Sequence, residues 1–261
     1  MIDSADNDHD TSTRGTPGRE SSANAAPREA AFFGRRKGKP LRAGQADRLA
    51  RDLPHLAIDL TALPVPASPG TPSPGTPLAA LFGQPVRAVR LEIGFGGGEH
   101  LLSEARNHPD IGYIGAEAFL NGLAKLTSAL AEAALGNVRL HGDDVVPLLD
   151  RLPTGSLERV DLLYPDPWPK RRHWKRRFVQ PDNIDRIARL LAPGGRFRFA
   201  TDVEDYAGWT LRHLLADERF AWTARRADDW RRPWAGWPGT RYEAKAMRAG
   251  RVPGYYEFQR I

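Results

Sequence analysis

The stretch Leu91-Glu92-Ile93-Gly94-Phe95-Gly96-Gly97-Gly98-Glu99 decides the fold. An apolar, β-branched run over residues 88–93 ends in glycines at 94, 96 and 98, and a helix-compatible stretch follows over 99–107. Strand, glycine turn and helix form the opening unit of a doubly wound sheet, whose ligands bind at the carboxyl ends of the strands. The glycines of such a turn let the backbone bend tightly and approach a ligand. Taken alone, the loop suits a dinucleotide, a nucleoside or a plain strand-to-helix turn.

Outward from that loop, short apolar runs alternate with longer helix-like stretches, the pattern of a parallel α/β sheet. Strands are expected at 88–93, 111–116, 138–141, 159–163, 196–200, 220–223 and 255–259, and helices near 99–107, 118–135, 144–151, 181–191 and 203–216. The fold class is therefore α/β, a doubly wound and mostly parallel sheet of seven strands.

Residue 99 is Glu where the dinucleotide fingerprint has its third glycine, and a carboxylate entering the helix there repels a pyrophosphate. Glu117 closes the second expected strand, where a carboxylate accepts hydrogen bonds from both hydroxyls of a ribose, whichever nucleoside carries it. With Glu92 before the loop and Asp143 and Asp144 after the third strand, the acids match a phosphate-free cation such as S-adenosylmethionine. Each acid also has an ordinary role as a solvated strand end, and Asp143 or Asp144 suits a helix N-cap.

The fourth expected strand runs into Leu163-Tyr164-Pro165-Asp166-Pro167-Trp168-Pro169-Lys170. Proline fixes φ and removes a backbone donor, so three at alternate positions hold an aromatic and a carboxylate rigidly at a strand end. Asp166 is accordingly expected near the methyl group of such a cofactor. Directly downstream, Lys170-Arg171-Arg172-His173-Trp174-Lys175-Arg176-Arg177 carries six permanent cations and two aromatic rings. Charge runs usually form solvated faces; interleaved rings beside a carboxylate favour phosphate contact and base stacking.

The chain has 261 residues, 41% of them hydrophobic, and a net charge of +6. Residues 1–30 carry six acidic and three basic side chains, so the positive surplus lies in the remainder and points to a polyanionic partner. Residues 1–30 read as a disordered acidic tail, 31–63 as a basic arm with a helix-compatible stretch at 44–53, and 64–86 as a linker. That linker includes Ser-Pro-Gly-Thr-Pro twice in tandem, at 68–72 and 73–77; residues 87–261 form the α/β domain. The absence of cysteine excludes disulfides, thiolate zinc sites and a cysteine nucleophile. With no secretory leader and no apolar run long enough for a membrane span, the expected location is cytoplasmic, with no membrane partner. The seven histidines lie apart, and no metal is expected.

Together these motifs resemble the bacterial tRNA (guanine-N7)-methyltransferases that modify the tRNA variable loop. The resemblance runs from about Phe33 to Ile261 and rests on Gly34-Arg35-Arg36, Glu92-Ile93-Gly94-Phe95-Gly96, Pro165-Asp166-Pro167-Trp168, the run from Arg172 to Arg177, Ala200-Thr201-Asp202 and Thr240-Arg241-Tyr242-Glu243. It implies a Rossmann-like S-adenosylmethionine-dependent methyltransferase in which Glu92, Gly94, Gly96, Gly98, Glu117, Asp144 and Asp166 line the cofactor pocket, with Asp166 at the active centre. It further implies that Lys170, Asp202, Thr240, Arg241, Tyr242 and Glu243 face the substrate, and that Arg172, His173, Trp174, Lys175, Arg176 and Arg177 contact RNA. The acidic tail and the Ser-Pro-Gly-Thr-Pro insert depart from the family pattern. Guanine N7 carries a lone pair and no proton, so direct in-line transfer needs neither an obligatory base nor a metal. Two rivals stay open: methylation of another site such as an exocyclic amine, and a non-catalytic RNA-binding protein on the same scaffold. The protein is expected as a monomer or homodimer.

Overall fold

The computed structural model describes residues 33–63 and 77–261; the expected acidic tail and nearly all the proline-rich part of the linker lie outside the described residues. Seven strands form one sheet: β1 (Ala88–Ile93), β2 (Ile111–Ala116), β3 (Val138–His141), β4 (Leu157–Leu163), β5 (Leu191–Thr201), β6 (Phe220–Trp222) and β7 (Gly254–Arg260). Their spatial order is β3-β2-β1-β4-β5-β7-β6. Neighbours from β3 to β5 pair in parallel, whereas β7 runs antiparallel to both β5 and β6. The sheet thus winds outward from β1 in both directions, and the switch point lies between β1 and β4. The glycine loop leaves one of those two strands and the proline-rich loop leaves the other.

The helices are α1 (Ala43–Leu56), α2 (Glu99–Asn107), α3 (Leu120–Ala133), α4 (Val145–Arg151), α5 (Pro181–Leu190), α6 (Glu204–Leu215), α7 (Asp228–Arg231) and α8 (Arg241–Arg248). Side chains alternate between the faces of each strand, so both faces need cover. Val89, Leu91 and Ile93 of β1 pack with α4, α5 and α6. On the other side Ile111 and Tyr113 pack with Leu101 of α2, Leu126 of α3 and the partly buried Leu49, Leu53 and Leu56 of α1. The arm therefore joins the domain, and beyond α1 the amide of Ile58 donates to the Leu140 carbonyl of edge strand β3 at 2.9 Å. Helix α1 continues through Pro54 to Leu56, past the expected end at 53, because the Ala57 amide still reaches the Leu53 carbonyl at 2.8 Å.

Beneath α2 the centre of the sheet is charged. Arg90 and Glu92 of β1 stand in register with Arg159 and Asp161 of β4. Glu104 of α2 accepts from Arg159 and, at 3.1 Å, from Arg90; Arg159 also bonds Asp161 at 2.8 Å. His100 of α2 bonds Glu92 at 2.7 Å. Burial alone would raise the Glu104 pKa, but Arg159, His100 and Arg90 hold it down at about 2.

Several elements differ from their expected bounds. Strand β5 begins at Leu191 because Leu191 pairs with Leu157, and a register shift between Leu157 and Arg159 absorbs the Pro193-Gly194-Gly195 turn. Helix α8 was not expected, although Thr240 and Glu243 have capping-box spacing. The Glu243 amide donates to Thr240 Oγ1 at 3.1 Å, and the Thr240 amide to Glu243 Oε2 at 3.2 Å.

The charged layer makes stability depend on acid. A carboxylate whose pKa is depressed on folding stabilises above its unfolded value, near 4.5, and that contribution disappears as pH falls through about 2. Glu104→Gln should cost about 2–3 kcal/mol near neutral pH by removing the charged acceptor that Arg159 and Arg90 share, leaving them only Asp161 and Glu158. Urea unfolding should show the gap to wild type narrowing as pH drops below the ordinary carboxylate range.

Candidate active site

At the carboxyl end of β1 the chain turns through Gly94, Gly96 and Gly98 at φ of 71°, 57° and 76°, values that bulky residues rarely adopt. Glu117, at the end of β2, fixes this loop. Its Oε2 accepts from the Gly96 amide at 2.7 Å and its Oε1 from the Phe119 amide at 2.9 Å. Both oxygens keep lone pairs for further donors. Burial raises the Glu117 pKa and the nearby Asp166 charge adds to the rise, against the two amides and Arg241. Helix α3 approaches so closely that a Cβ on Gly122 would sit 2.0 Å from the Gly96 carbonyl oxygen.

The amino end of α2 is already filled. Glu99 lies over Gly97 and pairs with Lys125 at 2.6 Å. A pyrophosphate would meet that carboxylate, whereas a phosphate-free cationic nucleoside fits the acids and the close glycine backbone.

The other acids have separate duties. Glu92 is buried and held by His100, whose ring lies 4.9 Å from that of Trp237. Asp144 is the N-cap of α4, its carboxylate accepting from the Val146 amide at 3.1 Å. The acid left outermost at the end of β3 is Asp143, which pairs with Arg36 of the arm. The arm is strapped to the start of α3: the Leu120 amide donates to the Arg36 carbonyl at 2.9 Å and the Gly38 amide to Asn121 Oδ1 at 2.9 Å.

Across the switch point, β4 ends in the proline-rich loop. Asp166 is solvent-accessible, yet the surrounding protein removes enough water to raise its pKa. Tyr164 at φ 51° and Trp168 at φ 44° flank it, two aromatic residues in the left-handed region. Such conformations cost of order 1–3 kcal/mol each and persist only where packing holds them. Tyr164 packs against the buried Leu163, Ala200 and Tyr255. Asp202, just past β5, is held by Arg251 at 2.5 Å, a partner the sequence reading did not single out.

The segment before β7 reaches back over the glycine loop. A Cβ on Gly96 would lie 2.9 Å from the Tyr242 ring, with the Arg241 guanidinium next to it. Thr240 caps α8. The buried Glu243 carboxylate accepts from Trp237 Nε1 at 2.7 Å and from the Tyr255 hydroxyl, so it pins the segment from inside.

The cationic run forms a 3₁₀ turn over Arg171–Arg176. Lys170, Arg171, Arg172 and Lys175 are exposed. His173 meets Trp168 edge-on at 5.9 Å, and Trp174 meets Trp209 at 5.4 Å. Arg176 is half-buried, between the Phe33 and Trp168 rings at 5.2 and 5.0 Å. Arg177 departs from the expected RNA contact, because its side chain is fully enclosed. The structure thus gathers Gly96, Glu117, Asp166, Arg241 and Tyr242 about the switch point, and turns Asp144 and Arg177 to other partners.

A family model described as "Putative methyltransferase" matches residues 86–253. The tRNA (guanine-N(7)-)-methyltransferase of Azorhizobium caulinodans is 60% identical over 231 residues, 88% of this chain and 95% of that protein. That of Rhizobium meliloti is 54% identical over 230 residues, again 88% of this chain and 95% of the other. Among solved structures, the 16S rRNA methyltransferase KamB aligns with a TM-score of 0.49 at 18% identity, over 67% of this chain and 88% of that one.

The Gly122 contact is a direct handle on the pocket. Gly122→Ala drives a methyl into the Gly96 carbonyl, so the loop must shift or α3 must retreat. Equilibrium titration should show S-adenosylmethionine affinity down by about a hundredfold, the scale of losing roughly 2–3 kcal/mol of positioned contacts. Unchanged affinity would mean the close approach does not shape the pocket.

Proposed function

The chain belongs to the tRNA (guanine-N7)-methyltransferase family, and from that premise we propose that it methylates N7 of a guanine in the tRNA variable loop, using S-adenosylmethionine. The observation that carries this reading is the pairing of a carboxylate-pinned glycine loop with Asp166 across one switch point, beside an exposed cationic turn.

S-adenosylmethionine supplies an electrophilic methyl group on a sulfonium. Glu117 would hold it through the ribose hydroxyls, using lone pairs not taken by the Gly96 and Phe119 amides. Arg241 and Tyr242 cover the Gly96 edge of the loop, where a side chain would collide with them. Asp166 and Asp202 would receive the guanine, accepting from its N1–H and 2-amino group. As the purine gains positive charge, a fixed carboxylate beside it lowers the barrier electrostatically. Because N7 has no proton to lose, alignment supplies most of the rate. Lys170, Arg172 and Lys175, exposed and beside Asp166, would neutralise tRNA phosphates, with His173 and Trp168 offering rings to an unstacked base.

Purified protein, labelled S-adenosylmethionine and unmodified tRNA test the reading directly. Label should enter the tRNA, and reduction followed by aniline should cleave it in the variable loop, since N7-methylguanosine opens under those conditions. Asp166→Asn should lower kcat by about 10²–10³ with little change in thermal stability. Burial raises the Asp166 pKa, so the acid limb of the rate should lie higher than an ordinary aspartate would put it, with activity falling as pH drops and Asp166 gains a proton. Label without cleavage would reassign the methylated atom.

Arg172→Ala and Lys175→Ala should each reduce the log-log salt slope of tRNA binding by roughly one unit while cofactor affinity holds. An unchanged slope would make these residues a solvated face.

A further inference from the structure

Arg177 closes the cationic turn in sequence but not in space. Its side chain has no solvent exposure, while Lys170, Arg171, Arg172 and Lys175 are open. The guanidinium lies within 4.8 Å of the Trp174 ring centroid, 4.9 Å of Tyr206 and 5.3 Å of Trp209. Its Nη2 pairs with Asp205 of α6, and its Nε donates to the Pro167 carbonyl at 2.9 Å. Nη1 is buried with no hydrogen-bond partner among the described residues. A cation enclosed this way and not fully satisfied is costly to keep, so it is a poor choice for packing alone.

The Pro167 carbonyl is a telling acceptor. Prolines at 165, 167 and 169 remove three amide donors from the loop, so its shape depends on donors from elsewhere. That carbonyl also belongs to the peptide joining Pro167 to Trp168, which sits at φ 44°. Arg177 therefore fixes the peptide one residue beyond Asp166. Through its backbone it ends the turn as well, its amide donating to the Trp174 carbonyl at 3.0 Å. One residue thus couples the exposed turn to the Asp166 loop. The planar fork, with its aromatic stacking, makes arginine rather than lysine the fitting cation.

We propose that Arg177 is a positioning residue for methyl transfer: it sets the orientation of Asp166 through the Pro167 carbonyl and makes no contact with RNA. This rests on the reading of Asp166 given above. The test is a double-mutant cycle of methyl transfer to tRNA with Arg177→Met and Asp166→Asn, together with tRNA binding across salt concentrations. Arg177→Met should lower kcat by about tenfold or more, since small displacements at a reacting centre are that costly. KM for tRNA and the salt slope should stay at wild-type values. In the Asp166→Asn background the same change should cost less than about twofold, because the residues act as one unit. Losses that multiply, a wild-type kcat in folded Arg177→Met, or a salt slope lowered by about one unit would each overturn the proposal.

If Arg177→Met does not fold, Asp205→Asn serves instead, since that carboxylate is half-exposed and its loss loosens Arg177 in place. It should give a smaller fall in kcat that likewise vanishes with Asp166→Asn, and a fall that persists there overturns the proposal. Failure of the functional reading would appear in wild type as label absent from tRNA. Failure of the positioning role appears only in variant ratios of an active wild type.

Discussion

One carboxylate fixes the glycine-loop wall of the crevice as a single object. Glu117 accepts the Gly96 amide with one oxygen and the Phe119 amide with the other, linking the loop after β1 to the end of β2 and the start of α3. Gly122 then lets α3 close on the Gly96 carbonyl, where any side chain would collide. Both amides are satisfied by a group that keeps spare lone pairs. Around this joint the other parts gather: Tyr242 rests over Gly96, the arm docks on α3, and Asp166 lies near enough to bias the Glu117 charge.

The two loops of the crevice reach stiffness by opposite means. The first uses glycine, whose freedom at positive φ is lost on folding but lets the backbone take this turn, and Glu117 then holds it. The second uses proline, which restricts the chain yet removes the donors that would hold it, and it holds Tyr164 and Trp168 in the left-handed region as well. Packing must offset that strain, and it does so through the Tyr164–Tyr255 cluster and the enclosed Arg177. Below both loops lies the layer of Arg90, Glu92, Glu104, Arg159 and Asp161. Its charges sit in fixed pairs, so Glu92 meets the crevice as a residue already engaged by His100.

Much of the framework is legible in the sequence because its signals are local. The expected strands at 88–93, 111–116 and 138–141 and the helix at 99–107 coincide with β1, β2, β3 and α2, since β-branched runs bounded by glycine and polar residues leave few alternatives. Membership of the family is likewise legible, because its motifs are short and contiguous. What escapes is decided by tertiary contact. No local pattern separates Asp143 from Asp144, although only the second caps α4. Arg177 reads like its five cationic neighbours in the run until Trp174, Tyr206 and Trp209 enclose it. The charged face beneath α2 looks like solvent-facing alternation along β1 and β4. Helix α8 has a local signal in the capping-box spacing of Thr240 and Glu243, but the helix that follows the cap is only eight residues long.

The cofactor side of the crevice depends on Glu117, and titration of S-adenosylmethionine into wild-type protein and Glu117→Gln measures that dependence most directly. An amide keeps the size of the carboxylate but accepts at one end only, so either Gly96 or Phe119 would face a second donor. Cofactor affinity should fall by about a hundredfold, in line with roughly 2–3 kcal/mol for a charged acceptor replaced by a mismatched one, while the sheet domain still unfolds cooperatively. Unchanged affinity in folded Glu117→Gln, or wild-type protein that binds NAD as tightly as S-adenosylmethionine, would contradict it.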